Sequence, residues 1–80
     1  MPPRLTVYIR HGCHLCTDMV RELEQLQAEL EFGYRLCDVD ADAALTERYG
    51  DQVPVLLGGE TELCRYFLDT DRLREYCRRS

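Results

Sequence analysis

The stretch RLTVYIRHGCHLC, residues 4–16, carries the reading on which the rest of the chain turns. Its first part, RLTVYI (4–9), is rich in β-branched and aromatic residues and runs into a glycine-containing turn, which predicts a buried strand. Its second part, RHGCHLC (10–16), sets Cys13 and Cys16 two residues apart just where an amphipathic pattern begins. From Leu15 onward Met19, Leu23, Leu26 and Leu30 recur at helical spacing, with Asp18, Arg21, Glu22, Glu24 and Glu29 between them. This predicts a helix that Gly33 stops. The Cys-x-x-Cys pair thus lies at the junction of a strand and a helix.

Spacing alone allows a redox dithiol, half of a zinc site, or no chemistry. Structural zinc needs four ligands, and Cys37, Cys64 and Cys77 are single. Completing a site with His11 and His14 would compress four ligands into HGCHLC, leaving little room for a tetrahedron, so no metal is expected. The junction favours the dithiol. At a helix start unpaired backbone N–H groups and the positive end of the dipole stabilise a thiolate. Cys13 takes that place as the accessible nucleophile, and Cys16, one turn on, is the more buried resolving thiol. Nucleophiles so placed have pKa values of roughly 3.5 to 7.5. Each unit of lowering is worth about 1.4 kcal/mol to the thiolate, and a stabilised thiolate makes its disulfide a stronger oxidant. Arg10 adds a permanent charge three residues upstream. His14, inside the motif, is the residue placed to tune the pair, whereas His11 reads as a solvated turn residue.

Beyond this stretch, YRLCDV (34–39) reads as a second strand with Leu36 on one face and Cys37 and Val39 on the other. DADAALTERYG (40–50) reads as a short helix with Asp40 or Asp42 near its start and Gly50 at its end. DVDAD (38–42) has the spacing of a calcium loop, but Ala43 stands where that loop needs glycine and Tyr49 where it needs glutamate. The aspartates therefore read as helix caps. VPVLL (53–57) and ETELCRYF (60–67) flank Gly58-Gly59 as a hairpin, and DTDRLREYC (69–77) closes with a helix presenting Leu73, Tyr76 and Cys77. A proline at position 54, at a strand start, is accommodated if its peptide bond is cis and an active-site turn needs it. The order is β-α-β-α-β-β-α in a single domain over residues 1–80. The first two strands are parallel and the hairpin antiparallel.

A net charge of −5 provides no basic face for nucleic acid. All ten cations are arginine, clustered only at Arg72, Arg74, Arg78 and Arg79, where a helix C-terminus welcomes them. The opening apolar run is too short for a signal peptide or a membrane span. With five cysteines, an odd number suited to reduced thiols, a cytoplasmic location is expected. Cys37, Cys64 and Cys77 are expected to pack as small hydrophobes.

The element order, GCHLC after the first strand and VPVLL-GG before the hairpin together resemble the glutaredoxin branch of the thioredoxin-fold family, over nearly the whole chain. The resemblance implies an α/β thioredoxin-like fold, a four-stranded mixed sheet flanked by helices. It implies that Cys13 attacks a disulfide and Cys16 releases the product. Val53-Pro54 matches the family's Val–cis-Pro, whose backbone pairs with substrate like an added strand. Arg10 matches the basic residue that helps hold a glutathione carboxylate. His14 and Leu15 stand where the family usually has Pro-Tyr, which alters the redox potential and the surface beside the nucleophile. The family's Gly-Gly-x-x-Asp segment after the last strand is replaced by YFLDTDRL, leaving Asp69 and Asp71 as the carboxylates at hand. The implied function is a thiol-disulfide oxidoreductase reducing protein or glutathione mixed disulfides. It would hold no bound cofactor, recover electrons from glutathione or a thioredoxin-type reductase, and work as a monomer away from membranes. The alternative is a non-catalytic thioredoxin-fold binding module whose dithiol is regulatory or vestigial.

Overall fold

In the computed structural model, which describes residues 2–79, strand β1 (Arg4–Ile9) buries Leu5 and Val7 on one face and turns Thr6 and Tyr8 to the other. Helix α1 (His14–Leu26) follows, then strand β2 (Gly33–Asp38), a 3₁₀ turn (Val39–Ala41) and helix α2 (Ala43–Tyr49). Strands β3 (Val55–Gly58) and β4 (Thr61–Arg65) precede helix α3 (Thr70–Arg79). The sheet order is β2-β1-β3-β4, with β1 parallel to β2 and antiparallel to β3, and β3 antiparallel to β4. This is the mixed four-stranded, thioredoxin-like α/β arrangement expected.

The sheet separates two cores. Leu5, Val7, Leu56 and Leu63 meet Met19 and Leu23 of α1 and Leu73 of α3 on one face. On the other, Val55 and Leu57 meet Val39, Tyr49 of α2 and Val53, and Cys16 at the head of α1 joins them. Strand β3 is buried on both faces, which is why its sequence is a continuous apolar run and not an alternating one. A one-residue register shift between Leu56 and Leu57 leaves Leu63 outside the pairing of β3 with β4. That bulge lets Leu63 and its neighbour Cys64 both serve the first core.

Several local expectations are corrected. Helix α1 stops at Leu26, not at Gly33. Ala28 and Glu29 donate to Gln25 and Leu26 through tighter three-residue turns, and the Gln27 amide bonds the Phe32 carbonyl at 3.0 Å. Leu30 still packs on the first core from outside the helix. The single helix expected over 40–50 is split, because Asp42 is extended (φ −144°) and caps α2 by accepting from Ala44 N–H at 2.8 Å. Asp38 caps the preceding 3₁₀ turn through Asp40 N–H at 2.9 Å. Val39 lies in that turn instead of the strand, buried in the second core. Strand β2 is an edge, so Leu36 is 48% exposed and Cys37 is half-buried in neither core, unlike Cys64 and Cys77, which pack on the first. The hairpin turns at Gly59 (φ +62°) and Glu60, leaving Gly58 inside β3.

Gly58 lies beneath the Tyr76 ring, where an added Cβ would come within 2.6 Å of it. Gly58→Ala must push that ring off the sheet, and a loss of roughly 1–3 kcal/mol is expected. Urea unfolding of the variant beside the native chain measures it.

Candidate active site

Gly12, at φ +75°, makes the left-handed turn that delivers the end of β1 into the start of α1. The next residue, Cys13, is the N-cap of α1, and its sulfur accepts the Cys16 N–H at 3.1 Å. A sulfur thus occupies the place usually filled by a serine, threonine or aspartate oxygen. The first turn of α1 carries no acidic residue to offset the dipole at the sulfur. Cys13 and Cys16 are joined as a disulfide, with Cα atoms 5.2 Å apart. Cys13 is half-buried and Cys16 only 3% exposed, packed with Val53 and Tyr49 in the second core. Cys13 is therefore the more accessible sulfur of the pair.

Arg10 is more deeply engaged than its sequence position suggests. Its Nε and Nη2 each reach Asp40 at 3.0 Å and its Nη1 bonds the Gly50 carbonyl at 3.1 Å. The hydrogen bonds to Asp40, and then its charge, push the guanidinium further above its ordinary value, so it stays charged. Arg10 consequently ties the end of β1 to both ends of the 3₁₀–α2 segment, and a ligand carboxylate reaching it must compete with Asp40. Beside it, the Tyr8 and Tyr49 rings stack with centroids 4.6 Å apart.

Val53 and Pro54 lie directly before β3, with a cis peptide bond between them and both side chains buried. The Val53 N–H and C=O take no part in the backbone bonds that join loops among the described residues. The Pro54 carbonyl accepts Tyr66 N–H at 2.8 Å, and the Tyr66 hydroxyl donates to the Asp51 carbonyl at 3.2 Å. Tyr66 does this at φ +67°, in a tight turn closed by Phe67 N–H on the Arg65 carbonyl at 2.7 Å. Such backbone costs a non-glycine residue about 1–3 kcal/mol and concentrates at functional sites. Tyr66 thereby braces the Val53–Pro54 segment, a role no local sequence signal announces. Of the two carboxylates considered after the last strand, Asp69 is engaged in capping α3 through Arg72 N–H at 3.1 Å, and Asp71 lies in that helix's exposed first turn.

Two depressions flank the head of α1. A groove of about 530 Å³ runs from Arg10, His11, Cys13 and Cys16 to Val20 and the exposed Leu36. A smaller cleft of about 240 Å³ holds Leu15 with Tyr66, Phe67 and Leu68. His14 is exposed and lines neither, so the structure places it beside the disulfide but outside both depressions. Among the described residues no three His, Cys, Asp or Glu side chains form a metal-ligand set, and no helix is long and apolar enough to cross a membrane.

A four-stranded mixed sheet with a Cys-x-x-Cys at its first strand–helix turn defines the class as a thioredoxin-fold protein with a dithiol at the helix start. Within that class the chain belongs to the Glutaredoxin-like domain (DUF836) family, matched over residues 4–78. It is similar to the solution structure of protein Ne2328 from Nitrosomonas europaea, with TM-score 0.86 and 43% identity, covering 96% of this chain and 93% of that one. The X-ray structure of XcR50 from X. campestris matches with TM-score 0.73 and 36% identity, over 95% of this chain and 97% of that one. An uncharacterized protein of Mycobacterium tuberculosis, Rv0508, is 32% identical over 98% of this chain and 86% of its own length.

Burial pushes the Cys64 and Cys77 thiols above the ordinary value. The unfolded chain therefore ionises first, so their contribution to stability is whole below the ordinary thiol pKa and is lost as pH rises through the folded values. Thermal midpoints followed into the alkaline range are expected to fall, and to fall less in a Cys64→Ala, Cys77→Ala double variant.

Proposed function

We propose that the chain is a thiol-disulfide oxidoreductase in which Cys13 is the nucleophile and Cys16 the resolving thiol. The observation that carries this reading is the Cys16 N–H bonded to the sulfur of the N-cap Cys13 at 3.1 Å, with Cys16 itself buried. In the reduced protein the same N–H and the helix dipole favour a Cys13 thiolate. That thiolate attacks one sulfur of a substrate disulfide, forming a Cys13–substrate mixed disulfide and expelling the other sulfur as a thiolate that takes a proton. Cys16, deprotonated, then attacks the Cys13 sulfur. The remaining substrate thiolate leaves and takes a proton, and the Cys13–Cys16 pair, now a disulfide, has given up the two electrons that the substrate gained. Two glutathione thiols, or the dithiol of a thioredoxin-type reductase, return those electrons.

Val53 supports the reading as a docking edge, since its backbone groups stand next to the buried Pro54 and outside the loop hydrogen bonds. Arg10 acts first as a brace on Asp40 and Gly50, and meets a substrate carboxylate only by exchange with Asp40. Leu15 offers an apolar contact beside the disulfide, and His14 a solvent-facing imidazole there. Substrates are disulfide-containing proteins or glutathione mixed disulfides, met by a monomer in the reducing cytoplasm, where Cys37, Cys64 and Cys77 stay as thiols.

Cys13→Ser is expected to lower reduction of hydroxyethyl disulfide by at least about a thousandfold. Cys16→Ser should instead accumulate a mixed disulfide at Cys13, visible as added mass under non-reducing conditions. A reduced native protein with no thiol titrating below the ordinary cysteine value and no exchange activity would refute the proposal.

A further inference from the structure

The cleft beside Leu15 differs from the groove on the other side of α1 in what rims it. Phe67 is 70% exposed, the largest outward aromatic surface among the described residues, and Tyr66 next to it is 39% exposed. The left-handed turn at Tyr66, bonded to Pro54 and Asp51, holds this pair in place, so Phe67 is presented to solvent by braced backbone. Asp18 and Glu22, one helical turn apart on α1, form the opposite rim. Neither has an ion-pair partner among the described residues, although five ion pairs engage other carboxylates. Like charges at this spacing repel, and no cation among the described residues is paired with them. Arg21 also lines the cleft, leaving it with one net negative charge.

We infer that this cleft recognises the polypeptide flanking a substrate disulfide, taking an apolar side chain between Leu15 and Phe67 and an adjacent arginine or lysine against Asp18 and Glu22. The inference rests on the proposed dithiol chemistry for its purpose, because Leu15 lies between the two cysteines and Tyr66 is bonded to Pro54. It narrows that chemistry to disulfides carried by apolar–basic segments. Charge complementarity selects this occupant: a cation gains from both carboxylates, while an acidic segment, or glutathione with its net negative charge, meets the same sign. Phe67 and Leu15 supply the area that the charges orient.

The test is a titration of the isotopically labelled full chain, followed by amide chemical shifts, with two peptides that differ at one position. One carries Leu-Arg and the other Leu-Glu beside a serine standing in for the substrate cysteine, so binding is read without any redox step. Amides of Leu15, Asp18, Glu22, Phe67 and Leu68 should shift, with half-saturation at roughly threefold lower concentration for the arginine peptide. Added salt should shrink that difference. Phe67→Ser, at an exposed position that leaves the cores intact, should weaken both peptides about fivefold. The Asp18→Asn, Glu22→Gln double variant, which leaves Arg21 as the charge of the cleft, should abolish or reverse the preference for the arginine peptide, and glutathione should leave these five amides of the native chain unmoved. Equal binding of the two peptides to the native chain, shifts confined to other residues, no shifts at all, or glutathione binding in this cleft would overturn the inference. Hydroxyethyl disulfide reduction, measured in parallel on the same samples, reports separately on the dithiol.

Discussion

A helix start leaves backbone N–H groups that need an acceptor, and in this protein a cysteine sulfur supplies it. The bond from Cys16 N–H to Cys13 Sγ makes one atom serve as the cap of α1 and as the exposed end of the dithiol. Reactivity and helix formation are therefore coupled: what stabilises negative charge on the sulfur also satisfies the helix. Gly12 makes the arrangement accessible to the chain, since its left-handed backbone turns β1 directly into the cap. Burial of Cys16 in the second core then leaves Cys13 as the more accessible of the two sulfurs.

The supports for that cap come from distant parts of the chain. Arg10 fastens the end of β1 to Asp40 and Gly50, while Tyr8 stacks on Tyr49 just below. Val53 packs against the same core as Cys16, and Tyr66 bonds to Pro54 and Asp51 from beyond the last strand. Three segments far apart in sequence thus meet at the head of α1. A small domain with a thin core holds a defined site in this way by placing it at the ends of rigid elements, where capping, stacking and ladder bonds all terminate.

Elements with a strong local signal were legible in the chain. The β-branched run of β1, the heptad-like spacing of Met19 and Leu23, and the capping aspartate and terminal glycine of α2 all describe what forms. Boundaries were less so. Leu30 continues the helical spacing, yet the chain leaves the helix at Leu26 because three-residue turns and the Gln27–Phe32 bond compete successfully there. Leu36 and Cys37 alternate as a strand should, but alternation carries no information about whether a strand is central or at an edge, and β2 is an edge. The dithiol and Val53-Pro54 were readable as motifs. Tyr66 and Phe67 were not, because their importance lies in a left-handed turn and in contacts to residues twelve or more positions away.

The division is a physical one. Periodicity, capping residues and the placement of Cys13 ahead of an amphipathic run act within a few residues, so the order of elements and the chemistry of the cap are written locally. Which carboxylate holds Arg10, which sulfur is covered, and which aromatic rims the cleft beside the disulfide depend on where the sheet brings segments 10–16, 38–54 and 65–67 together. Those outcomes are balances of burial and hydrogen bonding summed over partners distant in sequence, and they exist only once β1 and β3 lie side by side.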